Sequence, residues 1–152
     1  MNKPPDNPFE SEPPGAAAAG DPSSENAKTA FEAIMFTDIE GSVGLEQELG
    51  TKRYAALLVR HGELFREALG GVTTGRIEKH TGDGFMARFS RPSDAVAAAL
   101  HFQWLLRREE WPGRQPLRVR IGIHEGEIMV IDSRHEMPSA VGAPVNLAAR
   151  LQ

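Results

Sequence analysis

The hydrophobic and polar positions divide the chain into an aperiodic start and a periodic remainder. Residues 1 to about 29 repeat neither every second position nor every third and fourth. They are rich in Pro, Ala, Gly, Ser and Glu, with Phe9 as their one aromatic residue. Such a segment buries too little surface to offset its ordering entropy, so a disordered tail is expected there. From Ala30 the run AFEAIMFTD alternates and then turns continuously apolar, the pattern of a buried strand. Ser42 is placed to cap a short helix reaching Gly50, and Thr51 to cap a second one. In that second helix Tyr54, Leu57, Leu58, His61, Leu64, Phe65 and Ala68 recur at helical spacing, and Gly70-Gly71 ends it.

Residues 75–89, GRIEKHTGDGFMARF, read as strand, tight turn and strand about Gly82-Asp83-Gly84. Pro92 falls in the first turn of another helix, whose apolar stripe is Ala95, Ala98, Ala99, Phe102, Leu105 and Leu106. Trp111-Pro112-Gly113 stops it. LRVRIGIHEGEIMVID reads as two strands about Gly126, and Pro144 opens a last helical piece, VNLAARLQ. The order β, α, α, β-hairpin, α, β, β, α predicts one domain over residues 30–152, an α+β or α/β sandwich around a single sheet. The last helix is too short to stand alone and needs packing partners.

Composition narrows the chemistry. The formal charge of the 152 residues is -4, so no broad basic field invites nucleic acid or an anionic membrane. The absence of cysteine removes disulfides and thiolate catalysis and leaves only His and carboxylates as zinc ligands. The absence of cysteine also suits a cytoplasmic protein, no stretch approaches the ~18 apolar residues of a membrane span, and the start lacks the pattern of a signal peptide. His61, His80, His101, His124 and His135 form no HExxH spacing and are read as structural or solvent-facing. Glu40 reads as a solvated loop carboxylate, and Trp104 and Trp111 as packing residues. Arg118 and Arg120 alternate with Val119 and Ile121, so they are expected to face water or a partner subunit.

Two acidic turns carry the candidate chemistry. Asp38 ends an apolar strand in FTDIEGS, and Asp83 sits at a hairpin tip in KHTGDGF. Mg²⁺ commonly takes one or two carboxylates and completes its shell with phosphate and water. The Glu40-Gly41-Ser42 loop opens a helix whose free N–H groups suit a phosphate. Each feature alone also fits an ordinary turn or cap. Their combination is more specific. FTDIEGS, EKHTGDGFMARF, LRVRIGIHEGE and VGAPVNLAARLQ, in that order, resemble the catalytic domain of class III adenylate and guanylate cyclases, over residues 31–152. The bacterial soluble members are the most similar.

The resemblance implies a ferredoxin-like, palm-type α/β sandwich. It implies that Asp38 and Asp83 hold two Mg²⁺ or Mn²⁺ ions per site, with the carbonyl of Ile39 as a further ligand and Gly41 and Ser42 at the phosphates. Lys79 matches the lysine that reads the purine edge and favours adenine, where guanylate cyclases typically carry Glu. Ser139 stands where the family often has Asp or Thr to contact the adenine amino group, and a hydroxyl can accept that hydrogen bond. Asn146 matches the residue that orients the ribose, and Arg150 the one that stabilises the pentacovalent phosphate. Their i, i+4 spacing puts both on one helix face. The implied activity is conversion of ATP to 3′,5′-cyclic AMP and pyrophosphate in cyclic nucleotide signalling, by a head-to-tail homodimer with its sites at the interface.

The family continues past the arginine helix into more sheet, so the chain is expected to be incomplete at its C-terminus, with residues 144–152 frayed. Three competing readings remain: a cyclase-homology domain that only dimerises or binds nucleotide, a guanylate cyclase, and a diguanylate cyclase. The GG(D/E)EF hairpin of the last resembles Thr81-Gly82-Asp83-Gly84-Phe85, but that family lacks a VNLAAR helix. The first 29 residues contain no recognisable sensor.

Overall fold

The computed structural model describes residues 27–113, 116–131 and 139–151. Among them the order is β1 (Ala27–Ile39), α1 (Ser42–Leu49), α2 (Thr51–Gly70), β2 (Gly75–His80), β3 (Phe85–Phe89), α3 (Pro92–Arg108), β4 (Val119–Ile131), β5 (Ser139–Val141) and α4 (Ala143–Leu151). The strands form one antiparallel sheet in the order β2-β3-β1-β4-β5. This is the expected α+β sandwich. The expected disordered tail lies outside the described residues up to residue 26, and β1 already begins at Ala27.

Alternation along β1 sets the two faces of the sheet. Ala33, Met35 and Ile39 point to one side, where α2 and α3 cover them with Leu64, Phe65, Ala98, Phe102 and Leu106. The Phe65 ring stacks on Phe85 at 4.4 Å and meets Phe102 edge-on at 5.1 Å. Ile34 points to the other side, into a smaller cluster with Met86, Ile128, Ala140 and Ala148 of α4. Pro144 and Ala148, one turn apart, are the buried residues of α4. The sheet of this same chain thus supplies the contacts that so short a helix requires, where fraying for want of them was expected.

Three local expectations change. Gly126 does not separate two strands: β4 runs through it unbroken from Val119 to Ile131, and the second strand is β5. The reason is packing. A Cβ on Gly126 would stand 2.6 Å from Cγ of Pro144, so the glycine admits α4 onto the sheet instead of turning the chain. The N-cap positions of α1 and α2 belong to Gly41 and Gly50, not to Ser42 and Thr51, which are the first helical residues. Both glycines have positive φ, 69° and 73°, which lets the chain turn sharply into each helix.

Candidate active site

The end of β1 and the β2–β3 turn meet at one edge of the sheet. Thr37 pairs with Phe85, and its hydroxyl accepts a hydrogen bond from the Phe85 amide at 3.0 Å. The turn closes on itself through the Thr81 amide and the Gly84 carbonyl, 3.0 Å apart. Gly84 is pressed so closely onto β1 that a Cβ there would lie 1.8 Å from the Thr37 carbonyl oxygen. Only glycine permits this approach. It brings Asp83, one residue before Gly84, beside Asp38, one residue after Thr37. Both carboxylates are half-buried.

Tyr54 is a buried residue of α2 within range of both charges. Burial pushes its pKa up, the negative charge of Asp83 adds to that, a hydrogen bond with Ser42 opposes it, and Glu46 and Asp38 raise it further. One phenol therefore senses Asp83, Ser42 and Asp38 together. The helical spacing placed Tyr54 only in a core stripe. Its position in an apolar repeat gave no sign of a polar neighbourhood.

His61 lies one layer deeper. Its ring centroid is 5.4 Å from that of Phe85 and 5.3 Å from that of Phe102. Burial, with the like charge of His80 adding to it, lowers its pKa to about 4, and Asp83 partly opposes this. The imidazole is neutral at neutral pH and acts as a core side chain, as expected.

The loop after Asp38 is held from the other side. Ile39 is buried and pairs with Val119, and the Glu40 amide donates to the Arg118 carbonyl at 2.9 Å. Gly41, in the left-handed region, offers no side-chain cap, so the first amides of α1 have no side-chain acceptor at that position. Ser42 begins the helix. A cavity of about 360 Å³ lies behind this loop, lined by Glu40, Gly41, Leu45, Leu57, Trp111 and Arg118, and neither aspartate lines it. Arg120 was expected to face water or a partner. It is half exposed, yet it pairs in register with Asp38 and its guanidinium forms an ion pair with that carboxylate.

Among the described residues no group of three or more His, Asp or Glu could hold a metal ion. The two aspartates nevertheless suit Mg²⁺ or Mn²⁺, because such ions draw their remaining ligands from phosphate and water. The other candidates lie on β2, β5 and α4. Lys79 is exposed on β2, opposite Met86. Ser139 lies in β5 and pairs with Ile131. Asn146 and Arg150 are exposed on α4, on the side away from buried Pro144 and Ala148. The structure thus gathers Asp38, Ile39, Gly41, Ser42 and Asp83. Among the described residues no hydrogen bond or ion pair links these to Lys79, Asn146 or Arg150.

Residues 26–152 match the family model described as the adenylate and guanylate cyclase catalytic domain. The chain belongs to this cyclase family. It is 32% identical over 130 residues to a putative adenylate cyclase 3 of Rhizobium meliloti (strain 1021), covering 84% of this chain and 21% of that protein. It is also 32% identical over 122 residues to an uncharacterized protein of Mycobacterium tuberculosis (strain ATCC 25618 / H37Rv), covering 78% of this chain and 38% of that one. The cyclase domain thus spans only a fifth to two-fifths of these relatives' length. Among solved structures it superposes on the guanylyl cyclase Cya2 with a TM-score of 0.71 at 27% identity, covering 82% of this chain and 70% of that one. A bacterial light-regulated adenylyl cyclase matches with a TM-score of 0.69 at 24% identity, covering 82% and 69%. The cyclase fold is therefore common to relatives named for either base. No helix among the described residues is long and apolar enough to cross a membrane.

Proposed function

We propose that this cyclase domain closes ATP into 3′,5′-cyclic AMP and pyrophosphate, in cyclic nucleotide signalling. The observation that carries this reading is the docking of Gly84 on the Thr37 carbonyl, which sets Asp83 beside Asp38. In the reaction the ribose 3′-oxygen attacks the α-phosphorus in line, the new P–O bond forms and the bond to the β-phosphate oxygen breaks. Two bound Mg²⁺ or Mn²⁺ ions would supply Lewis acidity to the 3′-hydroxyl and charge neutralisation to the leaving phosphates.

The residues of the chain hold the reactants. Asp38, Asp83 and the Ile39 carbonyl would hold the cations. The free amides at Gly41 and Ser42 receive phosphate oxygens at the start of α1. Lys79 donates to the adenine ring nitrogen that in guanine carries a proton, and Ser139 accepts from the adenine amino group. Asn146 orients the ribose, and the Arg150 guanidinium provides a fork of fixed donors to the charge that develops on the α-phosphate. Asn146 and Arg150 face away from their own sheet, which supports completion of each site by a second copy in a head-to-tail homodimer.

The test is product analysis with Mn²⁺–ATP and Mn²⁺–GTP. Cyclic AMP is expected, and Asp38→Ala or Asp83→Ala should abolish it without loss of the fold. Wild-type turnover in either variant would sink the metal assignment. Cyclic di-GMP as the product, or nucleotide affinity with no product, would establish one of the competing readings instead.

A further inference from the structure

The sheet face that carries α4 also carries four charged side chains at positions where a covered strand ordinarily presents apolar ones. Arg88 of β3 places Nε 2.6 Å from Glu78 of β2 and Nη1 3.2 Å from Glu32 of β1. Arg76 of β2 reaches the same two carboxylates, at 2.9 Å to Glu32 and 3.4 Å to Glu78. Each arginine bridges both glutamates, so the four form a closed ring. Arg88, Glu32 and Glu78 are only 3%, 6% and 9% exposed. Several ring atoms, including Arg88 Nη1 and Glu32 Oε2, lack a well-directed hydrogen bond among the described residues. A buried ion network of this kind is a weak contributor to stability, since desolvation offsets the attraction, but its fixed forks can specify geometry.

The geometry in question is a bulge. β2 and β3 pair as Gly75 with Phe89 and Ile77 with Ala87, then shift so that Lys79 faces Met86. Glu78 is the extra residue. Regular pairing would instead have set Lys79 opposite Phe85, on the face buried under α2 and α3 with Phe85, Ala87 and Phe89. A one-residue slip reverses the side to which each later side chain points. The bulge therefore turns Lys79 out of the core and onto the face shared by Met86 and Arg88. Glu78, which makes the bulge, is the residue that both arginines grip.

We infer that the Glu32–Arg76–Glu78–Arg88 ring is a clamp that holds the bulge and aims Lys79 at the nucleotide base. Glu78 and Arg88 are then positioning residues for base selection. This rests on the reading of Lys79 as the base-contacting residue.

The test compares ATP and GTP affinity of the full chain, by competition against a fluorescent ATP analogue with Mn²⁺. Hydrogen exchange is followed at Glu78 to His80, and thermal melts control for folding. Three proteins join the wild type: Lys79→Ala, the isosteric Glu78→Gln, and a triple variant Glu32→Leu/Glu78→Val/Arg88→Met. The triple variant removes every buried charge at once, a change that folds commonly tolerate better than loss of one partner. The wild type should prefer ATP by about tenfold, roughly the value of one hydrogen bond to the base. Lys79→Ala and the triple variant should both lose that preference, and adding Lys79→Ala to the triple variant should cost nothing more. Glu78→Gln should lose part of it, and amide exchange at Lys79 should quicken in both clamp variants. A folded triple variant that keeps the wild-type ratio while Lys79→Ala loses it overturns the clamp alone. A triple variant that fails to fold leaves Glu78→Gln to decide, and wild-type selectivity and exchange there overturn the clamp. A wild type without preference, or a preference that survives Lys79→Ala, overturns the base reading on which the clamp rests.

Discussion

Asp38 and Arg120 stand opposite each other across the β1–β4 pairing, and Arg120 Nη2 forms an ion pair with Asp38 Oδ2. A proposed cation ligand is thus held by a protein cation from the neighbouring strand. The arginine fixes the carboxylate's direction while its charge opposes that of an incoming metal. Arg120 is half exposed, so water screens the pair and its share of stability is small.

Arg120→Gln should therefore change stability by less than about 1 kcal/mol. It should tighten Mn²⁺ binding in the absence of nucleotide severalfold, because a like charge is removed from beside the carboxylate. Calorimetric titration with Mn²⁺ checks this. Unchanged or weakened affinity would mean that the guanidinium swings aside when the cation arrives.

Base choice is expected to follow Lys79. Lys79→Glu should lose ATP cyclisation and gain weak use of GTP, since the donor becomes an acceptor. Ser139→Asp should be tolerated or should sharpen the ATP preference. The ratio of kcat/KM for the two nucleotides is the measurement, and equal ratios in Lys79→Glu and the wild type would remove the lysine from base recognition.

Assembly from two copies has its own test. Asp38→Ala and Arg150→Ala should each be inactive alone. Mixed together, they should recover part of the wild-type rate, because one site in a mixed dimer receives both intact residues. Inactivity of the mixture, with dimers present by sedimentation, would argue against shared sites.

His61 makes stability depend on pH. In the folded protein it takes up its proton only near about 4, whereas its ordinary value is 6.5. Between these values the unfolded chain holds more protons, so stability rises with pH. The contribution is fully present above about 6.5 and is lost as pH falls towards 4, on the order of 3 kcal/mol in all. His61→Phe should flatten urea midpoints over that window. An undiminished slope would assign the dependence to other groups.

Two glycines allow the two proposed halves of the site to be tested separately. Gly84→Ala must push the turn off the Thr37 carbonyl, and Gly126→Ala must push Pro144 off β4. Each should cost about 1–3 kcal/mol, the usual range for overpacking. Gly84→Ala should weaken Mn²⁺ binding and leave α4 in place. Gly126→Ala should spare Mn²⁺ binding and speed amide exchange in residues 144–151. The reverse assignment would place the contacts elsewhere.

Much of this protein was legible as one-dimensional pattern. The apolar runs of β1 and β4, the helical stripe from Tyr54 to Ala68 and the glycine-rich turn at Asp83 all depend on local periodicity and turn chemistry, and these act over a few residues of chain. The four motifs carried the family in the same way. Tertiary structure decided what depends on distant segments meeting. Gly126 carries the ordinary mark of a strand break, and only Pro144 shows why the strand continues through it. Arg120 reads as solvent-facing until register sets it against Asp38. Glu32, Glu78 and Arg88 are scattered polar residues until the bulge and the sheet close them into one ring. Periodicity tells which face a residue shares with its chain neighbours. What lies across from it is settled by strand register and helix docking, which arise from packing between residues far apart in the chain.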